Sequence, residues 1–152
     1  MKKKQGFTLI ELLAVIVILA VIAVIAVPMV LNTIEKARKG AFEQTINGVV
    51  KAVDLYKAQI QMTDELSECR YFSFGNDVME VTVRDGKTYY PLKELSIKGS
   101  LPTEGEIKVC RDELLIDASD GSYSGRYEDE KLNITKKSGK ELVQEALENP
   151  IG

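Results

Sequence analysis

Lys4-Gln5-Gly6-Phe7-Thr8-Leu9-Ile10-Glu11-Leu12-Leu13 leads into the longest apolar run of the chain, and the reading of that run decides the fold. From Phe7 to Leu31 only Thr8, Glu11 and the backbone-altering Pro28 interrupt the apolar character, and the sixteen residues from Leu12 to Val27 are apolar without exception. A helix of that length reaches roughly 37 Å, enough to cross a hydrocarbon core of about 30 Å with some tilt. A secretory signal would have a run of about 7 to 15 residues and a small-x-small cleavage site. Here Ala20, Ala23 and Ala26 fall three apart and make no such pair. One membrane-spanning helix is therefore expected, with Lys2, Lys3 and Lys4 ahead of it holding the amino end in the cytoplasm and the body outside. A mixed set, Glu35, Lys36, Arg38 and Lys39, follows it.

Glu11 does not suit a plain anchor. A carboxylate in the middle of a membrane helix costs about 2.5 to 3.5 kcal/mol on insertion scales, and less near an end, so it needs a partner or a reason. The Gly6-Phe7-Thr8-Leu9-Ile10-Glu11 string around it resembles the class III signal of type IV pilins and type II secretion pseudopilins. The resemblance implies that a membrane-embedded prepilin peptidase cuts between Gly6 and Phe7, leaves the apolar stretch attached and methylates the new amino terminus at Phe7. It also implies that Glu11 is needed for assembly, and that the mature subunits form a polymer with themselves and with other pilin-like subunits. An assembly ATPase and an inner-membrane platform are the further partners it implies. The chemistry of this chain agrees with that expectation: cutting after Gly6 removes three lysines and creates an α-amine that is largely cationic at neutral pH. A neighbour's Phe7 ammonium could then offset the Glu11 carboxylate in a low-dielectric filament core. Gly6, lacking Cβ, lets an extended chain approach a protease backbone closely.

Pro28 lacks the N–H that the helical ladder needs, so a kink or local melting is expected there. Beyond it, Ile34, Ala37, Ala41, Thr45, Val49, Val53, Tyr56 and Ile60 recur every three or four residues, with Ile46 and Val50 widening the stripe. That is an amphipathic helix with one apolar face. Between Pro28 and Ile60 only Gly40 and Gly48 weaken it, so the two halves are expected to be continuous.

Downstream, Met79, Val81 and Val83 alternate with Glu80, Thr82 and Arg84 before Asp85-Gly86, and Thr88 to Leu92 follows, which reads as a β-hairpin. Glu106 to Val109 and Glu113 to Asp117 read as a second antiparallel pair across Arg111-Asp112. Leu95 to Pro102 reads as a connection with room for one helical turn, Ser119 to Gly125 as a turn, and Tyr127 to Ile134 as a further strand. Lys140 to Glu148 could form a terminal helix capped by Ser138 and ended by Asn149-Pro150. The expected class is α+β: a type IV pilin-like long helix, transmembrane in its first half, packed on a small antiparallel sheet of about four strands. The division is leader 1–6, membrane or filament-core helix 7–31, amphipathic half 32–62 and sheet domain 63–152.

Composition excludes other classes. Residues 1–40 carry +4 and the rest −7, so the body is acidic and no direct nucleic-acid binding is expected. There is no His, which removes the commonest general base and neutral metal ligand. No nucleophile with a base and no phosphate loop can be named, so an enzyme is not expected. The acids Asp112, Glu113, Asp117, Asp120, Glu128, Asp129 and Glu130 include no DxDxDG loop and read as a solvated face, so no metal or cofactor is assigned. Cys69 and Cys110 are either a disulfide formed outside the cell or two separate buried thiols, and spacing leaves both open. The expected function is thus a filament subunit, with pilus, secretion pseudopilus and DNA-uptake pseudopilus all open. The competing reading is a single-pass anchored binding protein that never polymerises.

Overall fold

The computed structural model describes residues 6–61, 68–76 and 78–137. They form one helix, α1 (Leu9–Gln61), and seven strands: β1 (Arg70–Phe74), β2 (Thr82–Arg84), β3 (Lys87–Tyr89), β4 (Glu104–Val109), β5 (Leu114–Ser119), β6 (Tyr123–Glu128) and β7 (Lys131–Lys136). A 3₁₀ turn, Leu92–Leu95, follows β3. The chain divides into two compact units at Arg38 and Lys39, inside α1. The terminal helix expected at Lys140 to Glu148 lies outside the described residues.

In the first unit none of the described residues is buried, and the apolar side chains from Phe7 to Ile34 are exposed all round the helix. A helix apolar on every side needs lipid or other helices around it. α1 runs unbroken through Pro28, so the disturbance expected there does not take the form of a break in the helix. Membrane helices tolerate the lost backbone bond because neighbouring groups re-satisfy it.

In the second unit the helix presents Phe42, Ile46, Val49, Ala52, Val53, Tyr56 and Ile60 to the core. The apolar stripe holds at Ile46, Val49, Val53, Tyr56 and Ile60, but its start is corrected: Phe42 is buried, whereas Ala41, Ala37 and Ile34 are exposed. The cause lies across the interface at Gly125 of β6, where an added Cβ would stand 3.0 Å from the Phe42 ring. The missing side chain leaves room for a large aromatic, which also stacks on Tyr123 at 6.4 Å between ring centroids. Phe72, Ile107 and Ile116 from the three middle strands are fully buried beneath the same helical face.

One sheet holds all seven strands, in the order β2-β3-β1-β4-β5-β6-β7. The α+β class stands, with more strands than the four expected. Two differences contribute to the larger count. β1, with Phe72 and Phe74 turned inward, lies mid-sheet, pairing antiparallel with β4 and parallel with β3 through Tyr71 and Tyr89. The segment expected as a single strand from Tyr127 to Ile134 is instead two, β6 and β7, reversed at Asp129-Glu130 with φ of 51° and 60°. Positive φ at both central positions is the type I′ geometry of a two-residue hairpin, usually built from Asn-Gly or Asp-Gly. The Asp85-Gly86 turn between β2 and β3 has the same form, with φ of 50° and 73°. The β4–β5 pair is in register at Ile107 and Ile116.

Candidate processing and assembly site

Gly6, Phe7 and Thr8 precede the first helical residue and are not helical. Phe7 is 92% exposed, and a Cβ built on Gly6 would meet nothing within 4 Å. The chain's own packing therefore gives no reason for glycine at position 6.

The helix starts where it does because Thr8 and Glu11 close its end reciprocally. The Thr8 N–H donates to Glu11 Oε2 at 2.7 Å, the Thr8 hydroxyl donates to the same oxygen at 2.8 Å, and the Glu11 N–H donates back to Thr8 Oγ1 at 3.3 Å. This is a capping box, Thr at the cap and Glu three residues on. It satisfies two backbone donors that a helix end leaves orphaned, and it sets a negative charge in the first turn, where the helix dipole favours it. Among the described residues Glu11 Oε1 has no hydrogen bond. The reason required for an acid in this segment is thus partly local: Glu11 is held by its own chain. Thr8 joins Glu11 as a partner at this site, and Thr8-x-x-Glu11 before an apolar run is the sequence signature of such a cap. The box also leaves the Gly6–Phe7 peptide bond outside the helical ladder, in a backbone that a peptidase can bind.

The remaining candidate residues lie elsewhere. Pro28 is twenty positions along the helix from Thr8. Cys69 and Cys110 are joined, with an S–S distance of 2.06 Å, one step beyond the Arg70–Val109 pair of β1 and β4. Beside them Arg70 donates to the Tyr56 hydroxyl at 2.6 Å and stacks over Tyr90, and the Tyr56 hydroxyl donates to Glu94 at 3.1 Å. This polar cluster ties α1, β1 and the 3₁₀ turn together. Burial, opposed by Arg70, pushes the Tyr56 phenol up to about 12.

Several acids of the body have local partners. Glu113 pairs with Lys108 at 2.6 Å, Glu128 with Arg126 at 3.0 Å, and Asp117 with the same arginine at 3.8 Å. Asp120 accepts from the N–H groups of Ser122 and Tyr123, building the β5–β6 turn. Among the described residues no three metal-ligating side chains are gathered.

The exposed, largely apolar first half of α1 suits a membrane anchor, and the accessible Gly6–Phe7 bond lies just ahead of its Thr8–Glu11 cap. Residues 1–27 match the prokaryotic N-terminal methylation motif, which is the prepilin motif of type IV pilins and pseudopilins. The motif is that of a prepilin-peptidase substrate, and motif and helix together fit a membrane-anchored pilin precursor. No curated protein and no solved structure matches the chain.

Proposed function

We propose that this chain is a structural subunit of a type IV pilus-like filament, cut between Gly6 and Phe7, methylated at Phe7 and assembled through the first half of α1. The observation that carries the reading is the Gly6–Phe7 bond set just ahead of the Thr8–Glu11 cap on a helix whose first half is exposed and largely apolar all round. Before assembly the helix sits in lipid with the amino end in the cytoplasm and the sheet domain outside. During assembly the helices pack into a bundle, where the dispersion and hydrogen-bond contacts between them replace those with lipid. Glu11 sets register there: Oε2 stays on the Thr8 cap, and Oε1 is available to a neighbour's Phe7 ammonium. The sheet domain does no catalysis in this reading, and the chain's partners are the peptidase, sister and other pilin-like subunits, the platform and its ATPase.

The deciding experiment is the intact mass and amino-terminal sequence of the chain from its own cell's membrane and shed filaments. A methylated Phe7 start supports the reading. An intact Met1 start favours a single-pass anchored binding protein that does not polymerise. A Glu11→Ala chain is expected to be processed yet yield few filaments, and a normal filament yield from it would remove Glu11 from assembly.

A further inference from the structure

We propose that two copies of this chain join edge to edge through β2, the pairing extending the strand over the two residues ahead of it, with Glu80-Val81-Thr82-Val83-Arg84 of one copy running antiparallel to the same segment of the other. β2 is an end strand of the sheet, paired only with β3 among the described residues. Arg84 and Lys87 flank the two-residue turn and form its closing pair. Hydrogen bonding alternates along an antiparallel ladder, so the N–H and C=O groups of Val83 turn to the open side, and extending the strand by two residues turns those of Val81 the same way.

The side chains alternate as well. Thr82 and Arg84 share a face with Tyr89 and Lys87, on the side of the sheet away from the core. Val83 takes the opposite parity and so turns to the core side, yet it is 69% exposed, and Met79 and Val81 just ahead of β2 are 86% and 55% exposed. The core stops short of this end of the sheet, which leaves an apolar edge with unpaired backbone groups. Such an edge is a template for another strand.

Charge identifies the strand that fits. An antiparallel pairing centred on Thr82 sets Glu80 against the second copy's Arg84, Val81 against the second copy's Val83, and Thr82 against its own equivalent. Every opposed pair is favourable: two opposite-charge pairs, two β-branched apolar pairs and one threonine pair. The same register opposes the open N–H and C=O groups of Val81 to those of Val83, so the ladder is satisfied as well. Neither Glu80 nor Arg84 has an ion-pair partner among the described residues. Sliding the pairing by two positions either way, the smallest shift that keeps the hydrogen-bonding alternation, sets Glu80 or Arg84 against Thr82 and loses the charge match. The other end strand, β7, is no substitute: it carries Lys131 and Lys136 and no acid to meet Arg84. Lysines of this kind protect an edge against pairing.

The contact is isologous and closes at two copies, so it does not itself propagate a filament. It links subunits within the membrane pool or on neighbouring filaments, and it stands whether or not the chain polymerises.

The test is cysteine trapping in the full chain, expressed in its host membrane and oxidised mildly, with products separated without reductant. Residues facing each other at a non-hydrogen-bonded antiparallel position have Cα atoms about 4.5 Å apart, within disulfide reach. Thr82→Cys is expected to give a covalent dimer, and Asn133→Cys on β7 is not. Adding Glu80→Lys to the Thr82→Cys chain should lower the trapped fraction by about tenfold, and Arg84→Glu on top of both should restore it. A second measurement leaves Thr82 in place: in an Arg84→Lys chain, a zero-length carbodiimide should join Glu80 to position 84 of another copy, located by peptide mass. Equal trapping at both edges, an adduct to a different protein, no trapping by either chemistry, or no rescue by the charge exchange would each overturn the proposal.

Discussion

Gly6 shows how a single residue separates the demands of folding from those of recognition. Its Cβ position is open, so a larger side chain there leaves the fold unaltered and changes only what a peptidase meets. Gly6→Val is expected to give a chain of unchanged stability that keeps its leader, seen as full-length mass in host membranes. Cleavage at the normal level would show that the glycine is not read. Tyr56 is the opposite case, a residue used entirely by the fold. Its phenol is held neutral by burial, and its folded pKa of about 12 lies above the ordinary 10.0. A group whose folded pKa is raised contributes stability that is complete below the unfolded value and is lost as pH rises through the folded one. The chain should therefore weaken between pH 10 and about 12, and Tyr56→Phe should flatten that part of the curve while losing the bonds to Arg70 and Glu94. Denaturation midpoints measured on both sides of pH 10 check this, and parallel curves for the two chains would refute it.

Among the elements, the second half of α1 and β6 depend on each other through Gly125. A Cβ there would stand 3.0 Å from the Phe42 ring and 3.5 Å from Ile46, and branching it would force the helix off the sheet. Gly125→Val should cost about 1 to 3 kcal/mol, the usual effect of overpacking a core. Phe42→Ala in the same chain should return part of that loss by opening space, so a double variant no more stable than Gly125→Val alone would contradict the packing argument. At this same place the helical stripe departs in phase from the sequence pattern, with Phe42 buried and Ala41 exposed. Periodicity identifies an apolar face to within a residue or so, but whether Ala41 or Phe42 leads it depends on the shape of the opposing strand, which is distant in sequence. The hairpins follow the same pattern. Asp85-Gly86 announces its turn, whereas Asp129-Glu130 adopts the same backbone with residues that seldom signal it, so local pattern does not separate β6 from β7.

For the molecule as a whole, the Cys69–Cys110 bond ties the segment just after α1 to the far end of β4, across 41 positions of sequence. By the chain-entropy argument a loop of that length is stabilised by about 4 kcal/mol when closed. Cys69→Ser with Cys110→Ser is expected to lower the unfolding free energy by about that amount, read from denaturant midpoints, and an unchanged midpoint would mean that the bond constrains nothing in the unfolded chain. What the amino-acid sequence by itself determined is the membrane helix, its cleavage motif and the two hairpin signals. Each depends on residues within a few positions of one another, through hydrophobic run length, capping pattern and turn chemistry. The mid-sheet place of β1, its parallel pairing with β3, the joining of the two cysteines and the uncovered edge at β2 were decided only in the tertiary structure. They depend on which distant segments meet, and local patterning does not encode that choice because many pairings satisfy the same alternation of apolar and polar residues.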